Sequence, residues 1–172
     1  VSTALTVLIG LPAAYVVSHY DFPGRRLFRA LLTVPFVMPT VVVGTAFLVL
    51  LGPGGPLGWD LRQTVWAVLA AHVFFNLSVV VRSVGGAWSQ LHPGPEEAAR
   101  VLGATGWRVF VEVTLPRLVP ALAAASALVF LFTFTSFGVV LILGGPRLST
   151  LESETYFQTV RYLNLDVAAV LA

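Results

Sequence analysis

Four stretches of this chain stay apolar for about the length of a bilayer crossing: residues 1–18, 30–51, 64–84 and 119–143. A spanning helix needs about 20 such residues. Lipid permits only helices and closed barrels to cross it, because every backbone polar group must be satisfied within the structure. Barrel strands alternate apolar and polar side chains, and these runs do not. Only 10% of the residues are charged, against roughly 25% in a soluble domain, too few to coat a water-facing globule. The predicted fold class is therefore an all-α membrane protein, a polytopic helical bundle of four spans plus the start of a fifth near Leu165. No charged stretch precedes the first apolar run, so no signal peptide is visible. The chain opens on Val1 and stops inside an apolar run, and it is expected to be a fragment of a longer protein.

The connectors carry the orientation. All ten basic residues are Arg. Seven of them fall in or beside the connectors 19–29 and 85–116, whereas Arg62, Arg147 and Arg161 fall on the other side. Short cytoplasmic connectors are enriched in Arg and Lys, which places 19–29 and 85–116 in the cytoplasm and 52–63 and 144–164 outside. Trp59, Trp66, Tyr156 and Tyr162 then sit near the outer interface, where amphipathic rings are favoured. A net charge of +2 is too small to suggest a nucleic-acid partner. The absence of Cys excludes disulfides, thiol catalysis and thiolate metal sites in this chain.

The polar segment at 93–116 interrupts this apolar background. Pro93 and Pro95 suit a helix start. Glu96 and Glu97 fall in its first turn, where the helix dipole favours anions. Ala98 and Ala99 are small enough for close approach by a partner, and Gly103 suits a left-handed helix end. A second short helix is expected over 106–113, offering Trp107, Phe110 and Val111 for burial, with Pro116 and Pro120 framing the start of the fourth span. Such a segment could dock a partner, or rest on the bilayer as an amphipathic connector.

Glu97-Ala98-Ala99, Gly103, Val113, Leu115 and Pro116 resemble, at matching spacings, the E-A-A-x-x-x-G-x9-I-x-L-P loop of binding-protein-dependent ABC importer permeases. Val113 stands where Ile is usual. Phe22-Pro23-Gly24-Arg25 and the Pro35-Phe36-Val37-Met38-Pro39 stretch are similar to this family as well. The resemblance implies a partial type I permease domain over 1–172, with a coupling loop at about 93–116 docked on a cytoplasmic ABC ATPase dimer. It implies a multi-pass protein of the bacterial cytoplasmic membrane, a second permease half (fused or separate) and an extracytoplasmic solute-binding protein. The chain itself would be no enzyme and bind no cofactor, since ATP-Mg belongs to the ATPase. Ala71-His72-Val73-Phe74-Phe75-Asn76-Leu77 resembles thiamine permeases. The stretch from Phe134 to Gly145, with Thr150, Glu152 and Tyr156, resembles the thiamine and ferric-iron group. On that likeness ferric iron is the first expected solute and thiamine the second, with sulfate, molybdate and polyamines behind, and the fragment would be the first half of a fused permease.

Candidate path residues follow from polarity within the spans. His72 and Asn76 are four apart and share a helix face; Thr133, Thr135 and Ser136 interrupt the fourth run. Intramembrane polar groups mark pathways or glue helices together, and hydroxyls can also bond back to their own helix. Pro35 and Pro39 are expected to kink the second span and shape a gate or a packing feature. Arg82 is expected to snorkel from its helix end, and Glu152 and Glu154 to be solvated loop charges. No second ligand accompanies His72, so no metal site is expected. A fragment of an ion-gradient-driven secondary transporter is the main alternative, weakened because no Asp or Glu lies mid-span. An intramembrane hydrolase is weakened because Ser78 is on a different face from His72.

Overall fold

The computed structural model describes residues 1–172 except 57, 59, 146 and 147. The expectations for Trp59 and Arg147 therefore lie outside the described residues. In chain order the helices are α1 Ser2–His19, α2 Arg25–Val37, α3 Thr40–Leu50, α4 Val65–Ser89, α5 Gly94–Val101, α6 Gly106–Phe134, α7 Phe137–Leu143, α8 Leu151–Tyr156 and α9 Leu165–Leu171. α1, α4 and α6 are each long and apolar enough to cross a membrane.

α4 is the axis. Thr64 caps it, its Oγ1 accepting the Ala67 N–H at 3.3 Å. The end of α4 nearer Ser89 packs Val80, Val84 and Trp88 with Ala14 of α1 and Leu118, Ala125 and Val129 of α6. The end nearer Val65 packs Ala67, Val68 and Ala71 with Leu51 and with Val139, Val140 and Leu143 of α7. The α1–α4 contact is close because Gly10 has no side chain: a Cβ there would lie 2.6 Å from Val80 Cγ1. The C-terminus of α1 is held by the next connector, where Arg25 Nε and Arg29 Nη2 both donate to the Val17 carbonyl, at 3.0 and 3.2 Å. Basic groups suit these orphan carbonyls.

Two of the four expected spans are not single helices. Residues 30–51 fold as α2 and α3, bent by 108° at Met38–Pro39. Pro39 has no N–H to continue the helix, and it drives Met38 into extended backbone, ψ 140°. Pro35 sits inside α2 without breaking it. The expected pair of kinks is thus one mild insertion and one right-angle corner. Residues 119–143 are divided at Thr135–Ser136, where α6 ends and α7 begins.

The expected short helix over 106–113 also differs. It does not stop but runs on as the root of α6. Phe110–Thr114 form a π-helical turn, with the Leu115 N–H bonded to the Phe110 carbonyl. The widened turn lies just ahead of Pro116, whose ring lacks a donor, so the chain accommodates the proline without a break. The polar segment is therefore one short helix packed on the root of a long one.

Candidate solute cavity and coupling segment

The two breaks meet beside α4 and with it line an open cavity of about 320 Å³. α4 contributes His72, Phe75 and Asn76; the first break contributes Phe36, Met38 and Thr40; the second contributes Phe132, Thr135, Ser136, Phe137 and Gly138. The breaks touch through Gly138, where a Cβ would stand 3.0 Å from Thr40 Cγ2.

The polar groups here are donors without a charge. His72 is 6% exposed and Asn76 4%. Ser2 Oγ lies 2.9 Å from His72 Nδ1. With that hydroxyl donating to Nδ1, the neutral ring carries its proton on Nε2. Nε2 is buried and has no partner among the described residues. Asn76 donates one Nδ2 proton to the His72 carbonyl at 2.9 Å, leaving its second N–H free of that bond. α3 begins at Thr40 in the cavity wall, and the first N–H groups of a helix have no partner within it. Among the described residues no carboxylate and no cationic side chain lines the cavity. Among the described residues no three His, Cys, Asp or Glu gather as a metal site.

The path candidates divide accordingly. His72, Asn76, Thr135 and Ser136 meet in one cavity. Thr135 Oγ1 donates to the Leu131 carbonyl at 2.9 Å, which leaves its lone pairs available but spends its proton. Thr133 donates to the Phe130 carbonyl at 3.0 Å and does not line the cavity. Pro39 lies at the corner and Pro35 inside α2. Thr40, Phe36 and Phe132 were not singled out in the sequence. A Thr immediately after a helix-breaking Pro was the available signal for the first, and nothing local distinguishes the two Phe from neighbouring apolar residues.

The candidate coupling segment has its own geometry. α5 carries Pro95, Glu96 and Glu97 in its first turn. It ends in a Schellman motif: the Ala104 N–H bonds to the Ala99 carbonyl at 3.0 Å and the Gly103 N–H to the Arg100 carbonyl at 2.9 Å. Gly103 sits at φ +87°, which a side chain would resist. Thr114 Oγ1 donates to Glu96 Oε1 at 2.7 Å and ties α5 to α6. Val113, Leu115 and Pro116 lie on that same root of α6. Ala98, Val101 and Leu102 share one face of α5 by helical spacing; Val101 and Leu102 are each 87% exposed. Phe110 stacks on Trp88, centroids 5.9 Å apart, but Trp107, which the sequence offered for burial, stays 74% exposed.

Thr150 and Ser153 form a capping box at the start of α8. Glu154 there accepts from Gln158 Nε2 at 2.8 Å. The Arg62 guanidinium holds the Asp60 carboxyl below the usual carboxylate range.

Broken helices beside a pocket lined by polar groups, in a chain with apolar spans, define a polytopic helical membrane protein. The chain belongs to the family described as binding-protein-dependent transport system inner membrane component, which it matches over residues 6–171. It is 36% identical over 179 residues to the sulfate transport system permease protein CysT of Escherichia coli K12, covering 100% of this chain and 65% of that protein. It is 34% identical over 176 residues to the sulfate transport system permease protein CysW of Synechocystis, covering 98% and 64%. The chain thus spans just under two thirds of these relatives' length. Among solved structures, a bacterial ABC transporter involved in the import of the acidic polysaccharide alginate has the same fold, with TM-score 0.76 at 17% identity over 99% of this chain and 68% of that one. The alginate transporter in complex with its alginate pentasaccharide-bound periplasmic protein gives TM-score 0.77 at 20% identity, again over 99% and 68%. These relatives do not support the expected order of solutes. They are named for sulfate, which the sequence had placed behind ferric iron and thiamine.

Proposed function

We propose that this chain is part of the permease subunit of an ATP-driven importer whose solute is sulfate or a closely similar oxyanion. The observation that carries this reading is the identity to sulfate permeases along the whole chain. The cavity supports it. Uncharged donors from His72, Ser136, Thr40 and Asn76 match an acceptor-rich anion, whereas a hard cation such as ferric iron is held by oxygen donors, carboxylates above all. In this reading the chain does no covalent chemistry. An external binding protein delivers the solute, a second permease half closes the path, and an ATPase dimer engages Glu97, Ala98, Ala99 and Gly103 on the cytoplasmic face. ATP then acts by favouring one of two conformations. The connectors 19–29 and 85–116 are cytoplasmic, and 52–63 and 144–164 are external.

The test is deletion of the parent gene followed by energised uptake of labelled sulfate, ferric iron and thiamine, with restoration by the intact gene. Loss of sulfate uptake alone, dependent on ATP, is expected. Selective loss of iron or thiamine uptake would restore the order that the sequence suggested. Sulfate uptake driven by an ion gradient without ATP would favour the secondary-transporter alternative.

A further inference from the structure

Below the cavity at His72 the route continues along α4 toward the Ser89 end. Phe36 of α2 and Phe132 of α6 wall both this cavity and the next, which also contains Ser78, Ser83 and Arg82. The two rings meet edge to face with centroids 6.1 Å apart. Arg82 in turn lines a third cavity with Arg29, Ser18, Thr33 and Ser89. Three open pockets therefore follow one another along a single face of the bundle, the first two sharing the aromatic pair and the last two sharing Arg82; Phe36, Phe132, Arg82 and Arg29 are all exposed on that face. On α4 the wall residues His72, Asn76, Val79 and Ser83 recur at helical spacing and form one stripe.

The charge along this series is one-sided. Among the described residues, Arg82 and Arg29 are the charged residues lining the last two pockets. Arg29 donates to the Val17 carbonyl; among the described residues Arg82 has no hydrogen bond and no ion pair. It stands seven residues inside the end of α4, about 10 Å along the axis at 1.5 Å per residue. Its side chain is exposed on the open face of the bundle, and an ionised side chain within a spanning helix is costly unless it serves a path, finds a counter-charge or snorkels to the interface.

We propose that Arg82 is the inner station of the oxyanion route, receiving the anion from the uncharged donors at His72 when the Phe36–Phe132 pair parts. The proposal rests on the oxyanion-permease reading. The upper site holds the anion by hydrogen bonds alone, so it can let go. The guanidinium below supplies the attraction that draws the anion past the rings, and it repels cations that would follow the same way. Arg29 and the hydroxyls around it then lead to the cytoplasm.

The test uses the complete transporter, with its ATPase, second half and binding protein, in proteoliposomes with labelled sulfate. Arg82→Gln is expected to lower sulfate uptake per ATP hydrolysed by about tenfold while ATP hydrolysis stimulated by the binding protein stays within about twofold, and Arg82→Lys is expected to recover most of the loss. The proposal is overturned if Arg82→Gln transports as wild type, if ATP hydrolysis falls in step with uptake or assembly fails, or if Arg82→Lys is no better than Arg82→Gln. Repeating the comparison in purely zwitterionic vesicles separates solute from lipid: a defect confined to vesicles with anionic lipid would make Arg82 a headgroup anchor. If the wild-type transporter moves no sulfate or similar oxyanion, the functional reading itself fails, before any variant is compared.

Discussion

The coupling segment and the cavity are built by opposite means. α5 and its Schellman end are local. The interactions that shape them lie mostly within a few residues, from Pro95 at the start to Gly103 at φ +87°, with two longer ties, Thr114 to Glu96 within α5 and Arg117 to the His92 carbonyl just ahead of it. The cavity gathers four distant parts of the chain: the corner at Pro39, the middle of α4, the break at Thr135–Ser136, and Ser2 behind His72. A local device tolerates little change at its few positions. A dispersed one divides its work among several groups, each replaceable in part. The same contrast separates the outward-facing apolar surface of Val101, Leu102 and Trp107 from the inward-facing polar groups of the cavity.

The largest expected effect falls on the local device. Gly103→Asp keeps a residue type that tolerates left-handed backbone, so the helix end should still form, but it sets a carboxylate beside the exposed Val101 and Leu102. Sulfate uptake by the complete transporter is expected to fall more than about tenfold, with normal amounts of protein in the membrane, since truncating or spoiling a central docking contact typically costs about 2 kcal/mol or more. Undiminished uptake would remove α5 from the coupling role.

The next effect probes the cavity. Hydrogen bonds to charged groups contribute about 1.5–3 kcal/mol, so His72→Leu, which removes the Nε2 donor, is expected to reduce uptake by roughly tenfold or more. His72→Gln, which keeps an N–H, should recover part of it. Equal behaviour of the two variants would mean that His72 only packs, as interhelical glue does.

This difference in construction also explains what could be read in advance. The α5 region was legible because its residues are contiguous and each type has a local reason: proline at the start, acids in the first turn, glycine at the end. His72, Asn76, Thr135 and Ser136 were legible as polar residues in apolar runs. Spacing put His72 and Asn76 on one face, but nothing in the sequence brought that pair to Thr135 and Ser136, because their meeting depends on a break at Thr135–Ser136 and the return of α7 onto α4, which hydropathy renders as one continuous span. Thr133 was indistinguishable by type from Thr135, yet two residues place it outside the cavity, bonded to its own helix. The continuous root of α6 was hidden by Pro116 and Pro120, which ordinarily argue for a helix start; a π-helical turn absorbs the first of them. The solute lay beyond any of these signals, because uncharged donors and acceptors line the cavity and such groups do not single out one solute.

A smaller effect tests the side-chain tie between α5 itself and the root of α6. Thr114→Val removes the donor to Glu96 Oε1 while preserving shape. The loss is expected to be about 1 kcal/mol, seen as a lowered thermal midpoint of the assembled transporter and an uptake reduced by no more than about fivefold. A loss as large as that of Gly103→Asp would show that α5 is positioned chiefly by Thr114, and the contrast between local and dispersed construction would fail.

The smallest effect is expected where neither device reaches. Asp60 and Arg62 pair on the outer connector, Arg62 Nε donating to Asp60 Oδ1 and Nη2 to Oδ2, both at 2.9 Å. Arg62 holds the Asp60 carboxyl below its ordinary range. A carboxyl whose folded value is depressed adds stability above its unfolded pKa, about 3.9, and loses it as pH falls through the lower folded value. Both groups are fully exposed, and solvent and salt screen such pairs. Arg62→Gln is therefore expected to return the Asp60 titration to the ordinary carboxylate range, measured by NMR on the labelled side chain. It should leave uptake at neutral pH unchanged. A transport defect in Arg62→Gln would extend the functional surface to the outer connector, giving the molecule a third working region beside the cavity and the coupling helix.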